Sequence, residues 1–287
     1  MTNQTPLRFA VIGHPVAHSR SPQIHATFAA QFGIELVYER IDSPPEAFEA
    51  QVRAFFAQGG AGLNVTVPFK ERAWQMTKDH LSARAQDAGA VNTLWQANHT
   101  MHGCNTDGMG LVNDLNRLGM PLANANILLI GAGGAARGVI GPLLACQCRH
   151  IRIINRTSSR AHELVAGWVS AHPNDAALLS AGGLDELDQP PTFDLVINAT
   201  ASSLKGDALV LPAQLFGPSV RAYDMMYASD LTPFLYQAQQ AGSTHLSDGL
   251  GMLVGQAAQS FEIWHGQMPD TEPVIAKVRA QLQSSVR

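Results

Sequence analysis

The sequence predicts an α/β protein of two domains. Three observations carry this reading. Short apolar, strand-like runs alternate with helical patterns along the whole chain. One such run enters a glycine-rich turn and then a helix. The 287 residues, 46% hydrophobic and 15% charged, are enough for two cores.

Composition removes several classes. The net charge is −4 with 11 His, and no basic stripe exists, which argues against a nucleic-acid partner. The three cysteines, Cys104, Cys146 and Cys148, form no C-x-x-C pair, and the last two fall in a predicted helix. Reduced thiols, no metal site and a cytoplasmic location are the expectation. Phe9–Ile12 is too short an apolar run for a signal peptide. The region from Ile127 to Cys146 is broken by Arg137, Pro142 and five glycines, so no membrane span is expected.

In order, Arg8–Ile12 reads as a strand and Pro22–Phe32 as a helix, with Ser21 as its N-cap. Glu35–Ile41 is a strand. Pro45–Gln58 is a helix stopped by Gly59-Gly60, and Gly62–Val67 is a strand running into Pro68. Ala90–Trp95 and Thr100–Asn105 form a hairpin around Gln96–His99. Asp107–Leu118 is a helix closed by Gly119. A second series follows, with strands at Asn126–Ile130, Ile151–Asn155, Asp194–Ala199, Ala222–Met226 and Thr244–Ser247. Helices at Gly249–His265 and Thr271–Leu282 end the chain.

The segment Asn126–Arg137 reads NILLIGAGGAAR. A buried strand enters Gly131-Ala132-Gly133-Gly134-Ala135-Ala136 and a helix leaves it, the G-x-G-x-x-G/A form of a Rossmann-type dinucleotide site. Gly131 permits the tight turn, Gly133 lets backbone approach a pyrophosphate, and the helix N-terminus offers N–H groups to it. Pro142 must kink or shift that helix. The next strand ends Asn155-Arg156-Thr157, with Arg160 beyond and no acid to hold a ribose 2′-OH. Arg156 and Arg160, four residues apart at a helix start, suit a 2′-phosphate, with Thr157 as a further donor. That favours NADP over NAD.

Three clusters in the first half carry candidate chemistry. Ser19 and Ser21 flank a helix start, a natural seat for a carboxylate. Asn64-Val65-Thr66-Val67-Pro68-Phe69-Lys70 places a lysine in the first turn of a helix, where the dipole disfavours it. Gly103-Cys104-Asn105-Thr106-Asp107-Gly108 follows Ala90-Val91-Asn92-Thr93. Asp107 is either an N-cap or, if it approaches Lys70, half of a proton-transfer couple.

Together with Asn-Ala-Thr at 198–200, Tyr-Asp-Met-x-Tyr at 223–227 and Asp-Gly-Leu-Gly-Met-Leu at 248–253, these motifs resemble the shikimate dehydrogenase family over nearly the whole chain. The resemblance implies reversible reduction of 3-dehydroshikimate to shikimate by NADPH. Lys70 would be the general acid/base, with Asp107 beside it. Ser19 and Ser21 would hold the carboxylate; Thr66, Asn92, Asp107, Gln256 and Tyr227 would contact the substrate. Met225 and Gly249 would line the nicotinamide, and one helix carrying both Gly249 and Gln256 would serve cofactor and substrate. His14, Cys104 and Ala201-Ser202-Ser203 depart from the family's usual residues.

The expected organisation is an N-terminal substrate domain with a mixed sheet, residues 1–106, completed by helices in 249–287. A Rossmann-type NADP domain, 107–248, would follow, with a cleft between the two. The sequence leaves a homodimer possible, and leaves residual activity with quinate or NAD open.

Overall fold

Eleven strands form two sheets among the residues that this computed structural model describes, 6–187, 192–200 and 209–284. The chain divides into two compact units, Met1–Gly110 with Val254–Val278 and Leu111–Leu253 with Arg279–Arg287.

In the first unit, β1 (Leu7–Gly13) lies between β2 (Leu36–Asp42) and β3 (Gly60–Val65), parallel to both. Two antiparallel strands, β4 (Thr93–Ala97) and β5 (Thr100–Cys104), complete a mixed sheet of order β2-β1-β3-β4-β5. The parallel pairs need crossovers. Helices α1 (Ser21–Gln31) and α2 (Phe48–Ala57) supply them. Phe48, Val52, Phe55 and Phe56 of α2 pack on Ile12, Leu63 and Leu94 of the sheet. The β4–β5 turn is Asn98-His99, with φ of 51° and 63°, the doubly positive backbone of a tight hairpin. Short helices α3 (Lys70–Met76) and α4 (Ala83–Ala88) sit between β3 and β4 in the chain.

The second unit holds six parallel strands: β6 (Asn126–Ile130), β7 (His150–Asn155), β8 (Leu179–Gly183), β9 (Leu195–Asn198), β10 (Arg221–Asp224) and β11 (His245–Asp248). Their order, β11-β10-β9-β6-β7-β8, is the 3-2-1-4-5-6 winding of a dinucleotide-binding fold. β6 is apolar throughout its buried length because both its faces are covered. Ile127 and Leu129 enter one core, and Leu128 and Ile130 enter another. Helices α6 (Gly134–Ala145), α7 (Ser158–Ala171) and α8 (Pro233–Gln240) belong to this unit. Helices α5 (Asp107–Arg117), α9 (Leu250–His265) and α10 (Glu272–Ser284) each contribute residues to both units. No helix among the described residues is long and apolar enough to cross a membrane.

Several expectations shift. Ser21 does not cap α1: it is the first helical residue, Arg20 holds the cap position, and no side chain caps the helix. The first turn of the helix expected at Pro45 is a 3-10 turn, and α2 proper starts at Phe48. β3 begins and ends two residues earlier than the pattern suggested. Cys146 and Cys148 lie beyond α6, which ends at Ala145, although that helix does run through Pro142. Gly119 closes α5 as expected, at φ 63°, with Met120 N–H reaching the Leu115 carbonyl. The departures at Ala201-Ser202-Ser203 lie outside the described residues.

Candidate active site

Register explains why separate motifs meet. Asn64 pairs with Thr93, and Thr93 with Cys104, across β3, β4 and β5. The carboxyl ends of β1, β3 and β5 and the amino end of β4 therefore share one edge. The segments after Gly13, after Val65 and after Cys104, and the one before Thr93, all emerge there.

Phe69 is buried and stacks on Phe48 at 4.4 Å, which anchors the turn into α3. Lys70 is the first residue of that helix, and its Nζ lies 2.6 Å from Asp107 Oδ2. Asp107 is free for this contact because it does not cap α5. The first helical hydrogen bond runs from Gly110 N–H to the Thr106 carbonyl, and Asp107 N–H donates to Asn105 Oδ1 at 3.0 Å. The second carboxylate oxygen accepts from Asn92 Nδ2 at 2.9 Å. The same amide nitrogen approaches Thr106 Oγ1 at 2.8 Å and Gln256 Oε1 at 3.2 Å. Lys70 and Asp107 side chains remain 29% and 21% exposed, so the pair is shielded yet reachable.

Beneath it lies a buried polar layer that the sequence reading passed over. Asn64 Nδ2 faces the Asn92 carbonyl, Thr93 Oγ1 and Ser260 Oγ at 3.1, 3.3 and 3.1 Å. Tyr38 donates to Asn64 Oδ1 at 2.6 Å. Burial raises the Tyr38 phenol well above its ordinary value, so it stays protonated as that donor. A polar side chain inside the otherwise apolar run Gly-Leu-Asn-Val was the available signal for Asn64.

Ser19 and Ser21 stand together, Oγ to Oγ 3.2 Å, at the uncapped start of α1. Thr66 is held by its backbone, N–H to the Ile12 carbonyl at 2.9 Å.

In the second unit the glycines have distinct reasons. Gly131 has φ 117°, and a Cβ there would sit 3.0 Å from Thr200 Cγ2 and 3.3 Å from the Ala199 carbonyl. It therefore lies where the β6 and β9 ends adjoin, at the point where the winding reverses. Gly133 and Gly134 are different: no heavy atom lies within 4 Å of a Cβ at either. They leave open space at an exposed helix N-terminus that has no side-chain cap, with Ala132 and Ala135 beside them. Fully buried Ala136 packs the helix down on the sheet. This cradle fits a dinucleotide pyrophosphate.

Asn155 donates to the Thr157 carbonyl at 2.9 Å and shapes the turn that follows β7. Arg156, Thr157 and Arg160 are exposed, and neither guanidinium has a partner among the described residues. The spacing argument needs correction here: Arg156 precedes α7 and only Arg160 is on it, so they are not helical neighbours.

Gly249 permits a close backbone approach. A Cβ there would fall 2.2 Å from the Met225 carbonyl oxygen, and Gly249 N–H donates to the Met226 carbonyl at 3.0 Å. Gly249 itself precedes α9; Gln256 is on it. Tyr227, two residues past Met225, is partly buried. Below Met225 sits Asp224, fully buried, accepting from Asn198 Nδ2 at 2.9 Å, Thr232 Oγ1 at 2.5 Å and Met226 N–H at 3.0 Å. Burial raises its carboxyl pKa, against the pull of those hydrogen bonds. Asn198 in turn accepts from Thr200, beside Gly131. A polar residue ending each of two largely buried strands, β9 and β10, was the legible mark of this hub.

A Rossmann-type unit joined in one chain to a lysine–carboxylate pair is the architecture of a nicotinamide-dependent oxidoreductase. Comparison with known proteins narrows the class. The shikimate dehydrogenase substrate binding domain matches residues 11–94, shikimate/quinate 5-dehydrogenase matches 115–205, and the shikimate 5′-dehydrogenase C-terminal domain matches 249–279. The shikimate dehydrogenase (NADP(+)) of Bordetella petrii is 56% identical over 283 residues, covering 98% of this chain and 99% of that one. That of Cupriavidus pinatubonensis is 48% identical over 287 residues, covering 99% and 97%. The crystal structure of Thermus thermophilus shikimate 5-dehydrogenase in complex with NADP(H) and shikimate superposes with a TM-score of 0.83 at 36% identity, covering 96% of this chain and 99% of that one. The chain belongs to the shikimate dehydrogenase family.

Proposed function

We propose that this protein catalyses the reversible NADPH-dependent reduction of 3-dehydroshikimate to shikimate, with Lys70 as general acid/base. The observation that carries the catalytic assignment is the 2.6 Å contact between Lys70 Nζ and Asp107 Oδ2. NADPH, when bound, supplies the hydride that reduces the ring ketone. As that carbonyl is reduced, negative charge grows on its oxygen. The Lys70 ammonium stabilises the charge and delivers the proton; in the oxidation direction the neutral amine takes it back. Asp107 keeps the ammonium in place, Asn92 keeps Asp107 in place, and Gln256, which meets the same Asn92 amide, presents a polar atom to the ring hydroxyls.

Ser19 and Ser21 hold the substrate carboxylate, Thr66 and Tyr227 contact the ring, and the Gly131–Ala135 cradle holds the pyrophosphate. Asn155, Arg156, Thr157 and Arg160 receive the adenosine 2′-phosphate, while Met225 and Gly249 flank the nicotinamide. Residues 1–106 with 249–287 form the substrate-binding part, and 107–248 the NADP-binding part. The reading also places the enzyme in the cytoplasm, acting on a small molecule without a nucleic-acid or membrane partner.

The test is turnover of shikimate with NADP+ by wild type and Lys70→Ala. Loss of a general acid/base costs at least about a hundredfold in kcat. A near-normal kcat in the variant would remove Lys70 from the mechanism.

A further inference from the structure

Ser19 is held by a residue of the edge strand β2. Arg40 donates to the Ser19 carbonyl oxygen through both Nε, at 3.0 Å, and Nη2, at 2.7 Å. A guanidinium fork usually meets a carboxylate. Arg8, Arg72, Arg117, Arg152 and Arg279 all do so here, with Glu39, Glu49, Asp114, Glu186 and Asp248. Arg40 has no carboxylate within ion-pair distance among the described residues, and its Nη1 has no partner there. Among the described residues no ion pair neutralises the positive charge beside Ser19. The carboxylate next along the same face of β2, Asp42, pairs with His14, and α1 has no acidic residue in its first turn and no side-chain cap, so its N-terminus adds to the positive field.

We propose that Arg40 is a positioning residue for the carboxylate of the substrate, fixing the Ser19–Ser21 pair through the Ser19 backbone and supplying the counter-charge the two hydroxyls lack. This inference rests on the proposed reaction. It assigns the preference for an anionic ring substrate over its neutral ester to a charge on β2, not to the hydroxyls alone. Serine hydroxyls donate equally well to an ester carbonyl. The positive field distinguishes the two, and Arg40 supplies its full unit charge beside the partial charge of the α1 N-terminus.

The experiment is steady-state oxidation of shikimate and of shikimate methyl ester with NADP+, using wild type, Arg40→Met and Arg40→Lys. Arg40→Met is expected to raise KM for shikimate about fivefold, the effect of losing one exposed charge partner, with kcat and KM for NADP+ unchanged. The rise on the ester is smaller. In about 1 M salt, where the screening length falls to about 3 Å, the wild-type advantage on shikimate shrinks. Arg40→Lys, which keeps the charge but not the fork on the Ser19 carbonyl, falls between wild type and the methionine variant on shikimate, and reads the same acid-against-ester comparison if the methionine variant is poorly folded. Equal KM increases on acid and ester, an effect that salt leaves alone, or a lysine variant as impaired as the methionine one each overturn the proposal. Wild-type shikimate turnover checks the reaction itself; with it in hand, the Arg40 comparison decides this inference alone, and its absence refutes both.

Discussion

Adding a single methyl group at Gly133 separates the fold from the cofactor site. An alanine Cβ there meets no heavy atom within 4 Å, and the backbone, at φ −91° and ψ −173°, suits any residue. In the cofactor-free protein the entropy gain of Gly133→Ala, about 0.4–1 kcal/mol, is offset by the loss of a favoured N-cap residue, so stability changes by less than about 1 kcal/mol. That corresponds to a change in Tm of no more than about 4 °C. In the proposed cofactor complex, the open space is where the pyrophosphate comes closest. Overpacking by a methyl group costs about 1–3 kcal/mol, which is about 5- to 150-fold in Kd. Fluorescence titration with NADPH reads the affinity, and thermal unfolding with and without NADPH reads the stability. The variant keeps its cofactor-free Tm and loses most of the upshift that NADPH gives wild type. An unchanged Kd would refute the cradle, and a large fall in cofactor-free Tm would refute the claim that Gly133 is dispensable to the fold.

Two further predictions concern cofactor choice and acid stability. Arg156→Ala raises KM for NADP+ about tenfold and leaves KM for NAD+ unchanged, because only NADP+ carries the 2′-phosphate that the proposed seat at Arg156 would meet. Initial rates with each cofactor check this, and equal effects on both would place Arg156 away from the 2′-phosphate. His25 is fully buried among Tyr38, Phe28, Phe261 and Trp264, and its pKa is lowered to about 3 by burial and by the neighbouring His265. The unfolded chain takes up this proton near pH 6.5 and the folded one does not. Its contribution is therefore fully present above about pH 6.5 and declines by roughly 1.4 kcal/mol per pH unit as pH falls toward 3. His25→Phe flattens the fall in Tm between pH 6.5 and about 4.5; an unchanged slope would show that another group sets the acid limit.

Legibility in the sequence followed how local each signal was. Ile127–Ile130 announced β6 because a strand covered on both faces is apolar throughout. The turn after it was explicit because its glycines answer purely local demands. β8, Leu-Ser-Ala-Gly-Gly, escaped notice: an edge strand of small residues has no alternation to read. Helix α8 had a readable start in Thr232-Pro233, and the Thr232 side chain does cap it by accepting from Leu235 N–H. The Lys70–Asp107 contact was only conditional from sequence. It depends on the pairing of β3, β4 and β5, which no spacing in the chain states. Arg40 gave no signal at all, since its partner is a backbone carbonyl 21 residues away.

The most direct test of the whole account is a grid of initial rates with shikimate or quinate, each with NADP+ or NAD+. The account predicts that shikimate with NADP+ exceeds every other combination by about tenfold or more, the worth of one charge-assisted contact. Comparable rates with NAD+ would contradict the role given to Arg156 and Arg160, and comparable rates with quinate would contradict the substrate assignment itself.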